Sequence, residues 1–166
     1  MSAVRRVTRR PGRITVPKSL RYTVDASVFV NAFNPHEEGH AESLQILAAI
    51  QNRGDPMIVP TLLVPEIAAA VARASDDSAG ALQYAHASVA LPHVMLVVLT
   101  PALARQAAAL AASHRLRGAD AVYLAVARRY GTILVSRDGE QRTRGSAVAI
   151  CQTPEEALRA ARVASR

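Results

Sequence analysis

The sequence predicts an α/β fold in which helices cover both faces of a mostly parallel sheet of four or five strands. Two patterns predict this class. Short apolar runs, typical of strands buried on both faces, alternate along the chain with longer segments of helical periodicity. The helical segments are rich in alanine and only 4% of the residues are aromatic, which favours close packing through small side chains. With 166 residues, half of them hydrophobic, the chain is long enough to bury the core of one domain.

Residues 21–60 predict a strand, two helices and a second strand. RYTVD (21–25) is a short strand that leads into the helical segment ASVFVNAF (26–33). Apolar residues at helical spacing predict a second helix over 38–53, and Gly54 is a suitable residue to end it. MIVP (57–60) is the second strand.

The next segment predicts a helix pair and a third strand. TLLVPEIAAAVARA (61–74) is predicted to be a helix, and Pro65 is compatible with it because this residue would lie in the first turn, where proline is tolerated. SDDSAG (75–80) predicts a loop, and the following residues to 91 predict another helix. HVMLVVL (93–99) is the third strand.

The last segment completes the alternation. It first predicts a helix over 100–114, with Thr100 as N-cap and Pro101 at its first position, and then a helix over 118–131 that ends at Gly131. The strand TILVS (132–136) and the charged loop RDGEQRTRG (137–145) follow. The strand AVAIC (147–151) comes next, and a final helix starts at Thr153-Pro154-Glu155-Glu156. In sheets of this kind the reactive crevice lies beyond the carboxyl ends of the strands. Asp25 and Asp138 both fall at or just past such an end.

The positive charge of the chain is concentrated at its N-terminus. Residues 1–21 contain seven of the twenty basic residues and no acid, so the rest of the chain is balanced although the formal net charge is +7. We predict that residues 1–20 are a basic, flexible leader and that residues 21–166 are one folded domain. The leader suits a polyanionic partner, but a solubilising segment or a start codon placed too far upstream explains it equally well.

The composition also predicts a compartment. The sequence contains no run of 18 apolar residues, the length that would predict a transmembrane helix. The basic N-terminus is not followed by the apolar stretch of a secretory signal. The single cysteine, Cys151, has no second cysteine in the chain with which to form a disulfide. We therefore expect a protein of the reducing cytoplasm that does not enter a membrane.

Four carboxylates stand at element ends in the most apolar parts of the chain: Asp25, Glu66, Asp120 and Asp138. Each has a local explanation. Asp25 suits a helix N-cap, Asp120 a cap or a partner of the helix dipole, and Asp138 a turn before glycine. Glu66 is the hardest to explain, because it is the only charged residue in 56–72 and one face of its helix must be partly buried.

A divalent cation explains all four acids at once. Converging carboxylates repel one another, and some would have to take up protons in the absence of a cation. Ligation by oxygen, without Cys or His, points to Mg²⁺ or Mn²⁺. Such ions lower the pKa of bound water, and a pair of them can hold the attacking and leaving oxygens of a phosphoryl displacement. The acids therefore suggest metal-assisted hydrolysis of a phosphodiester.

Four segments resemble, in order, the successive motifs of PIN-domain nucleases: YTVDASVFVNAF, VPEIAAAVAR, LRGADAVYLAVA and TILVSRD. Within that family the chain resembles the toxins of VapBC-type toxin–antitoxin modules over residues 21–151. The resemblance implies a PIN-like (Rossmann-like) α/β/α sandwich, Mg²⁺ or Mn²⁺ as cofactor, and endonucleolytic cleavage of single-stranded regions of RNA. It also implies a homodimer that a cognate antitoxin holds inactive, often through an antitoxin arginine that reaches into the acidic site.

The resemblance assigns roles to individual residues. Asp25, Glu66, Asp120 and Asp138 match the metal-binding and catalytic acids. Ser27 matches the small hydroxyl residue beside the first acid and is expected to support the site. Ser136 stands where the family's T-x-D motif has threonine, a departure that keeps the hydroxyl group.

Arginines beside the predicted acids are candidate contacts to RNA phosphates: Arg117, Arg137, Arg142 and Arg144. Arginine binds phosphate with two parallel hydrogen bonds, which suits this use. A solvated loop, or pairing with surface acids, explains the same residues without RNA.

Two other functions stay open at this point. A non-catalytic PIN scaffold would match the same motifs, although such scaffolds typically lose acids and this chain keeps four. The second alternative is a different Mg²⁺-dependent phosphohydrolase built on a Rossmann-like sheet. A haloacid-dehalogenase-like phosphatase would need an acid where this chain has Ser27, and a receiver domain needs a late lysine, whereas the only lysine here is Lys18.

Overall fold

A five-stranded sheet forms the centre of the computed structural model, which describes residues 20–164. The strands are β1 (Tyr22–Val24), β2 (Met57–Pro60), β3 (Val94–Val97), β4 (Ile133–Val135) and β5 (Cys151–Gln152). They lie in the order β3-β2-β1-β4-β5, and every neighbouring pair is parallel. The predicted fold class is confirmed. The predicted leader, apart from Leu20, lies outside the described residues, and the division at residue 20 stays a prediction.

The strand order reverses between β1 and β4. The chain builds the sheet outward from β1 to β3 and then returns to the other side of β1 to add β4 and β5. Val24 pairs with Val135, so the two strands end side by side. A crevice forms where the order of a parallel sheet reverses, at the carboxyl ends of the strands. Asp25 and Asp138 follow these two strand ends.

Eight helices connect and cover the strands within the described part of the chain. They are α1 (Ala26–Phe33), α2 (His40–Arg53), α3 (Leu63–Ser75), α4 (Ser78–Val89), α5 (Pro101–His114), α6 (Gly118–Tyr130), α7 (Gly139–Gly145) and α8 (Pro154–Ala164). Helix α6 packs against β1, β2, β4 and α5. Helix α1 contacts α2 and α3, while α2 packs on α8 and α3 on α4.

Helix α6 is the most deeply buried helix of the fold. Its residues 121–127 are all buried, and Tyr123 and Leu124 have no exposed surface. A helix that is apolar on all sides belongs in the interior, here between the sheet and α5. Because its body is fixed by packing, its first turn places Asp120 rigidly near the ends of β1 and β4.

Several predicted helix ends are confirmed. Gly54 and Gly131 both adopt the left-handed conformation that glycine enters without strain, and each follows the last residue of a helix. The Thr100 side chain accepts a hydrogen bond from the Leu103 amide, as an N-cap does. At the start of α8, Thr153 and Glu156 bond reciprocally to each other's backbone amide, which is a capping box.

Three predicted boundaries are wrong. The predicted loop 75–80 contains the first turn of α4, because Asp77 caps the helix three residues earlier than expected through the Gly80 amide. The predicted charged loop 137–145 contains α7, because Asp138 also acts as an N-cap. The strand predicted over 147–151 shortens to Cys151–Gln152, because the amides of residues 148 and 149 bond back to Gly145 in a turn.

None of the helices within residues 20–164 has both the length and the apolar character that crossing a membrane requires.

Candidate active site

All four predicted acids line one cavity of about 740 Å³. It opens where the strand order reverses, and its wall also includes Ser27, Asn31 and three arginines. A separate cavity of about 460 Å³ between α5 and α6 has no carboxylate in its lining. The structure therefore brings Asp25, Glu66, Asp120 and Asp138 together from four separate elements.

Asp25 is both the N-cap of α1 and a wall of the cavity. Its Oδ2 accepts a hydrogen bond of 2.9 Å from the Ser27 amide, and only 7% of the residue is exposed. Burial raises the pKa of the Asp25 carboxyl, the hydrogen bonds from Ser27 and Gln141 oppose that rise, and the charge of Asp138 adds to it. Capping and lining the cavity are compatible, because the cap uses one of the two carboxylate oxygens.

Asp138 repeats this arrangement one strand away. Its Oδ1 accepts a hydrogen bond of 3.0 Å from the Gln141 amide and so caps α7. Its Oδ2 lies 3.8 Å from the Arg117 guanidinium, which is largely exposed. The two acids that end neighbouring strands therefore each start the helix that follows.

The two hydroxyl groups predicted to support the site hold the backbone beside Asp138. Ser27 Oγ accepts from the Arg137 amide at 3.1 Å, and Ser136 Oγ accepts from the Asp138 amide at 3.0 Å. Two consecutive amides are thus fixed by hydroxyls from two different strand ends. A hydroxyl at position 136 serves this purpose whether serine or threonine carries it.

Glu66 lies in the first turn of α3 and is held by a buried tyrosine. The Tyr123 hydroxyl donates a hydrogen bond of 2.6 Å to Glu66 Oε2, and Tyr123 has no exposed surface. Burial raises the pKa of Glu66, the Tyr123 hydrogen bond opposes that rise, and the charges of Asp25 and Asp120 add to it. The isolated acid of an apolar helix therefore has a dedicated donor.

Asp120 lies in the first turn of α6 and is partly buried. Its pKa is raised to about 6 by burial and by the charges of Asp25 and Asp138, with Arg117 opposing the rise. Two further acids thus make ionisation of a third more costly. The charges of Asp25 and Asp138 therefore oppose ionisation of Asp120 in addition to the larger effect of burial.

Sequence reasoning missed two residues that hold the acids. Tyr123 follows Asp120 at helical spacing, which predicts a residue that packs near the site but not its role as the hydrogen-bond donor to Glu66. Gln141 lies in a stretch that reads as a solvated loop, and it is fully buried against Asp25.

The four predicted RNA-binding arginines fall into two groups. Arg117 and Arg137 line the cavity, together with Arg73, an exposed residue seven positions after Glu66 on α3. The other two donate to backbone carbonyls away from the cavity: Arg142 to Ser136 and Arg144 to Arg115.

The acids match the ligand chemistry of a hard divalent cation. They are oxygen donors, and neither His nor Cys lines the cavity. Within residues 20–164, however, no three acidic, His or Cys side chains lie close enough to form a ready metal cluster. The donor set therefore suits Mg²⁺ or Mn²⁺ in kind, although the side chains do not form a closed ligand shell.

Comparison with known proteins gives a family and a set of similar folds. The family model of the PIN domain matches residues 22–145. No curated protein matches the chain. The structure is similar to that of PAE2754 from Pyrobaculum aerophilum, with 19% identity, a TM-score of 0.65, and coverage of 87% of this chain and 91% of that one.

Two further solved structures are similar. One is VapBC2 from Rickettsia felis bound to a DNA fragment from its promoter, with 12% identity, a TM-score of 0.58, and coverage of 81% of this chain and 98% of that one. The other is VapC20 from Mycobacterium tuberculosis, a toxin that cleaves the sarcin-ricin loop. It has 20% identity, a TM-score of 0.64, and coverage of 75% of this chain and 95% of that one. At these identities the likeness is one of fold.

Proposed function

Since the match covers most of its length, the chain belongs to the PIN-domain family, and we propose that it is a Mg²⁺- or Mn²⁺-dependent endoribonuclease, the toxin of a toxin–antitoxin module. One observation carries the proposal: Asp25, Glu66, Asp120 and Asp138 line one cavity at the point where the strand order reverses. The similarity to two Vap structures, one of them a toxin that cleaves the sarcin-ricin loop, supports the same proposal.

The four acids would hold the divalent ion. When bound, the ion would supply an activated water and positive charge for the phosphodiester in the transition state. Asp25 and Asp138 are suited to binding because both line the cavity and the helix caps restrict the positions of their carboxylates. Asp120 is suited because the packed body of α6 holds its first turn in place.

Glu66 contributes an oriented carboxylate. Tyr123 holds its Oε2 and so restricts the side chain to one position, which leaves Oε1 for the ion or for the attacking water. Cleavage by water in line with the leaving oxygen would give a 5′-phosphate and a 3′-hydroxyl.

The arginines on the cavity wall would bring RNA to the acids. Arg73, Arg117 and Arg137 surround a site that otherwise repels phosphate. Arg137 is held in place by the carbonyls of Glu38 and Gly39, so its position is fixed by the loop before α2. Arg142 and Arg144 are weaker candidates because neither lines the cavity that holds the four acids.

The proposal includes partners. A cognate antitoxin would inhibit the enzyme, and an antitoxin arginine would be a suitable group to enter a cavity of repelling acids. A cytoplasmic homodimer is the expected form. Light scattering of the purified chain, alone and with the product of the neighbouring gene, tests both expectations.

Cleavage of RNA by the purified chain tests the central proposal. Wild-type protein with Mg²⁺ or Mn²⁺ is expected to cut a single-stranded or loop-containing RNA and to leave 5′-phosphate ends. EDTA should stop the reaction. Asp25→Asn should also stop it, because asparagine keeps the helix cap and removes the charge.

A matched substitution controls for the general effect of losing an acid. Asp76→Asn makes the same chemical change at an exposed residue outside the cavity, in a left-handed conformation that asparagine tolerates. It should cut like wild type. Cleavage that survives both EDTA and Asp25→Asn would refute the proposal, and RNA binding without any cleavage would favour the non-catalytic scaffold.

A further inference from the structure

Gln141 touches three of the four residues that bear the acids. Its backbone amide donates to Asp138 Oδ1 at 3.0 Å. Its side-chain Nε2 lies 3.4 Å from Asp25 Oδ1 and 3.4 Å from the Asp120 carbonyl oxygen. A glutamine amide carries two N–H groups, so the two contacts can be made at the same time. One side chain from α7 therefore links the end of β1 to the start of α6.

A buried glutamine at this position lowers the stability of the fold if its side chain only fills space. Gln141 has no exposed surface, and its Oε1 is buried without a hydrogen-bond partner among the described residues. A buried oxygen without a hydrogen-bond partner destabilises the fold, whereas an apolar side chain of similar length would fill the space without that cost. An amide at this position is favourable only if the hydrogen bonds donated by its N–H groups have a role in the site.

Gln141 does not line the cavity in which the acids meet. It lies behind Asp25 and so would contact neither RNA nor the attacking water. The Asp25 oxygen that faces Gln141 is Oδ1, while the cap from the Ser27 amide uses Oδ2. The glutamine and the cap together fix both oxygens, and thereby the plane, of the most buried acid of the site.

We propose that Gln141 is a positioning residue of the cleavage site, which sets the Asp25 carboxylate relative to Asp120 and Asp138 so that the acids can bind one divalent ion. This inference rests on the proposed function. It assigns to Gln141 no contact with substrate. Its contribution should therefore be seen first in ion binding and only through that in cleavage.

Replacing the amide by an apolar side chain separates this role from packing. Gln141→Met keeps the length and removes both donors and the unpaired oxygen. Its resistance to thermal unfolding in EDTA should equal or exceed that of wild type. The concentration of Mn²⁺ needed to raise the melting temperature by a given amount should rise about 10- to 100-fold, the usual effect of losing a residue that orients a metal ligand. Cleavage at low Mn²⁺ should fall by a similar factor and recover partly at high Mn²⁺.

A control and a second variant keep the test decisive. Gln83→Met makes the same exchange at an exposed position on α4 and should leave Mn²⁺ dependence unchanged. If Gln141→Met does not fold, Gln141→Leu is measured in its place with the same expectation. If whichever variant folds needs the same Mn²⁺ concentration as wild type for the same rise in melting temperature, the inference is overturned.

Failure of the inference can be told apart from failure of the proposed function. If wild type cuts RNA and is stabilised by Mn²⁺, but the Gln141 variant behaves identically, only the positioning role is refuted. If wild type neither cuts RNA nor gains stability from Mn²⁺, the proposed nuclease function is refuted and the inference with it.

Discussion

Asp120→Asn should make the metal-free protein more stable at neutral pH. The folded chain raises the pKa of Asp120 from 3.8 to about 6, through burial and the charges of Asp25 and Asp138. A raised pKa means that the folded state holds the proton more tightly than the unfolded state. The stabilising contribution is therefore complete below pH 3.8 and is lost as the pH rises through about 6.

The size of the effect follows from that shift. About two pKa units correspond to about 3 kcal/mol, at 1.36 kcal/mol for each unit. Asp120 is only partly buried, so solvent screening reduces this to about 1.5 kcal/mol. Asparagine also loses the favourable interaction of an acid with the start of α6, which is about 0.5 kcal/mol. The net gain at pH 7.5 is about 1 kcal/mol, or a rise in melting temperature of about 2–4 °C.

Thermal or urea unfolding in EDTA, at pH 4 and pH 7.5, measures this difference. The two proteins should differ little at pH 4, where the wild-type acid is largely protonated, and the variant should be more stable at pH 7.5. Asp76→Asn, outside the cavity, should change stability by less than about 0.5 kcal/mol at both pH values. The reasoning would be refuted if Asp120→Asn were less stable than wild type at pH 7.5. It would also be refuted if the difference in unfolding free energy between the two proteins were the same at both pH values.

Three further predictions concern single contacts. Tyr123→Phe removes the hydrogen-bond donor to Glu66 and should slow cleavage about 10- to 100-fold with little change in fold. The control Tyr130→Phe should cut at the wild-type rate. If Tyr123→Phe also cuts at the wild-type rate, the hydrogen bond has no role in cleavage. Arg73→Ala should reduce the slope of log RNA affinity against log salt by about 1, and an unchanged slope would remove Arg73 from the RNA path. Thr153→Ala breaks the capping box and should cost about 1 kcal/mol in urea unfolding while leaving cleavage intact; a change in cleavage would contradict its purely structural role.

The order of strands and helices could be predicted because its signals are local. Apolar runs such as MIVP coincide with β2, and Gly54 and Gly131 end helices where glycine is needed for a left-handed residue. The start of α7 was missed because the stretch after Asp138 is strongly charged and resembles a solvated loop. A single capping bond outweighs that composition, and it is visible only when the Asp138 side chain and the Gln141 amide are placed in space.

The acids could be singled out from sequence, but the residues that hold them could not. An acid in an apolar segment is conspicuous, whereas a tyrosine in an apolar helix is not. Tyr123 meets Glu66 across 57 positions of sequence, and Gln141 meets Asp25 across 116. Such pairs depend on the sheet order and on the packing of α6, which bring distant segments together. The assignment of the four acids to metal binding stays a prediction until ion binding is measured.

The double use of Asp25 and Asp138 bears on how this protein would lose its activity in evolution. Each residue begins a helix with one oxygen. Asparagine begins a helix as well as aspartate does. We therefore expect that an exchange of either aspartate for asparagine, which needs only one nucleotide change, yields a harmless chain that still folds. Such a chain would retain the surfaces by which the active protein is bound. If the chain is the toxin proposed above, inactive descendants that still bind its antitoxin should arise more readily than unfolded ones, and co-purification of Asp25→Asn with that antitoxin would test this.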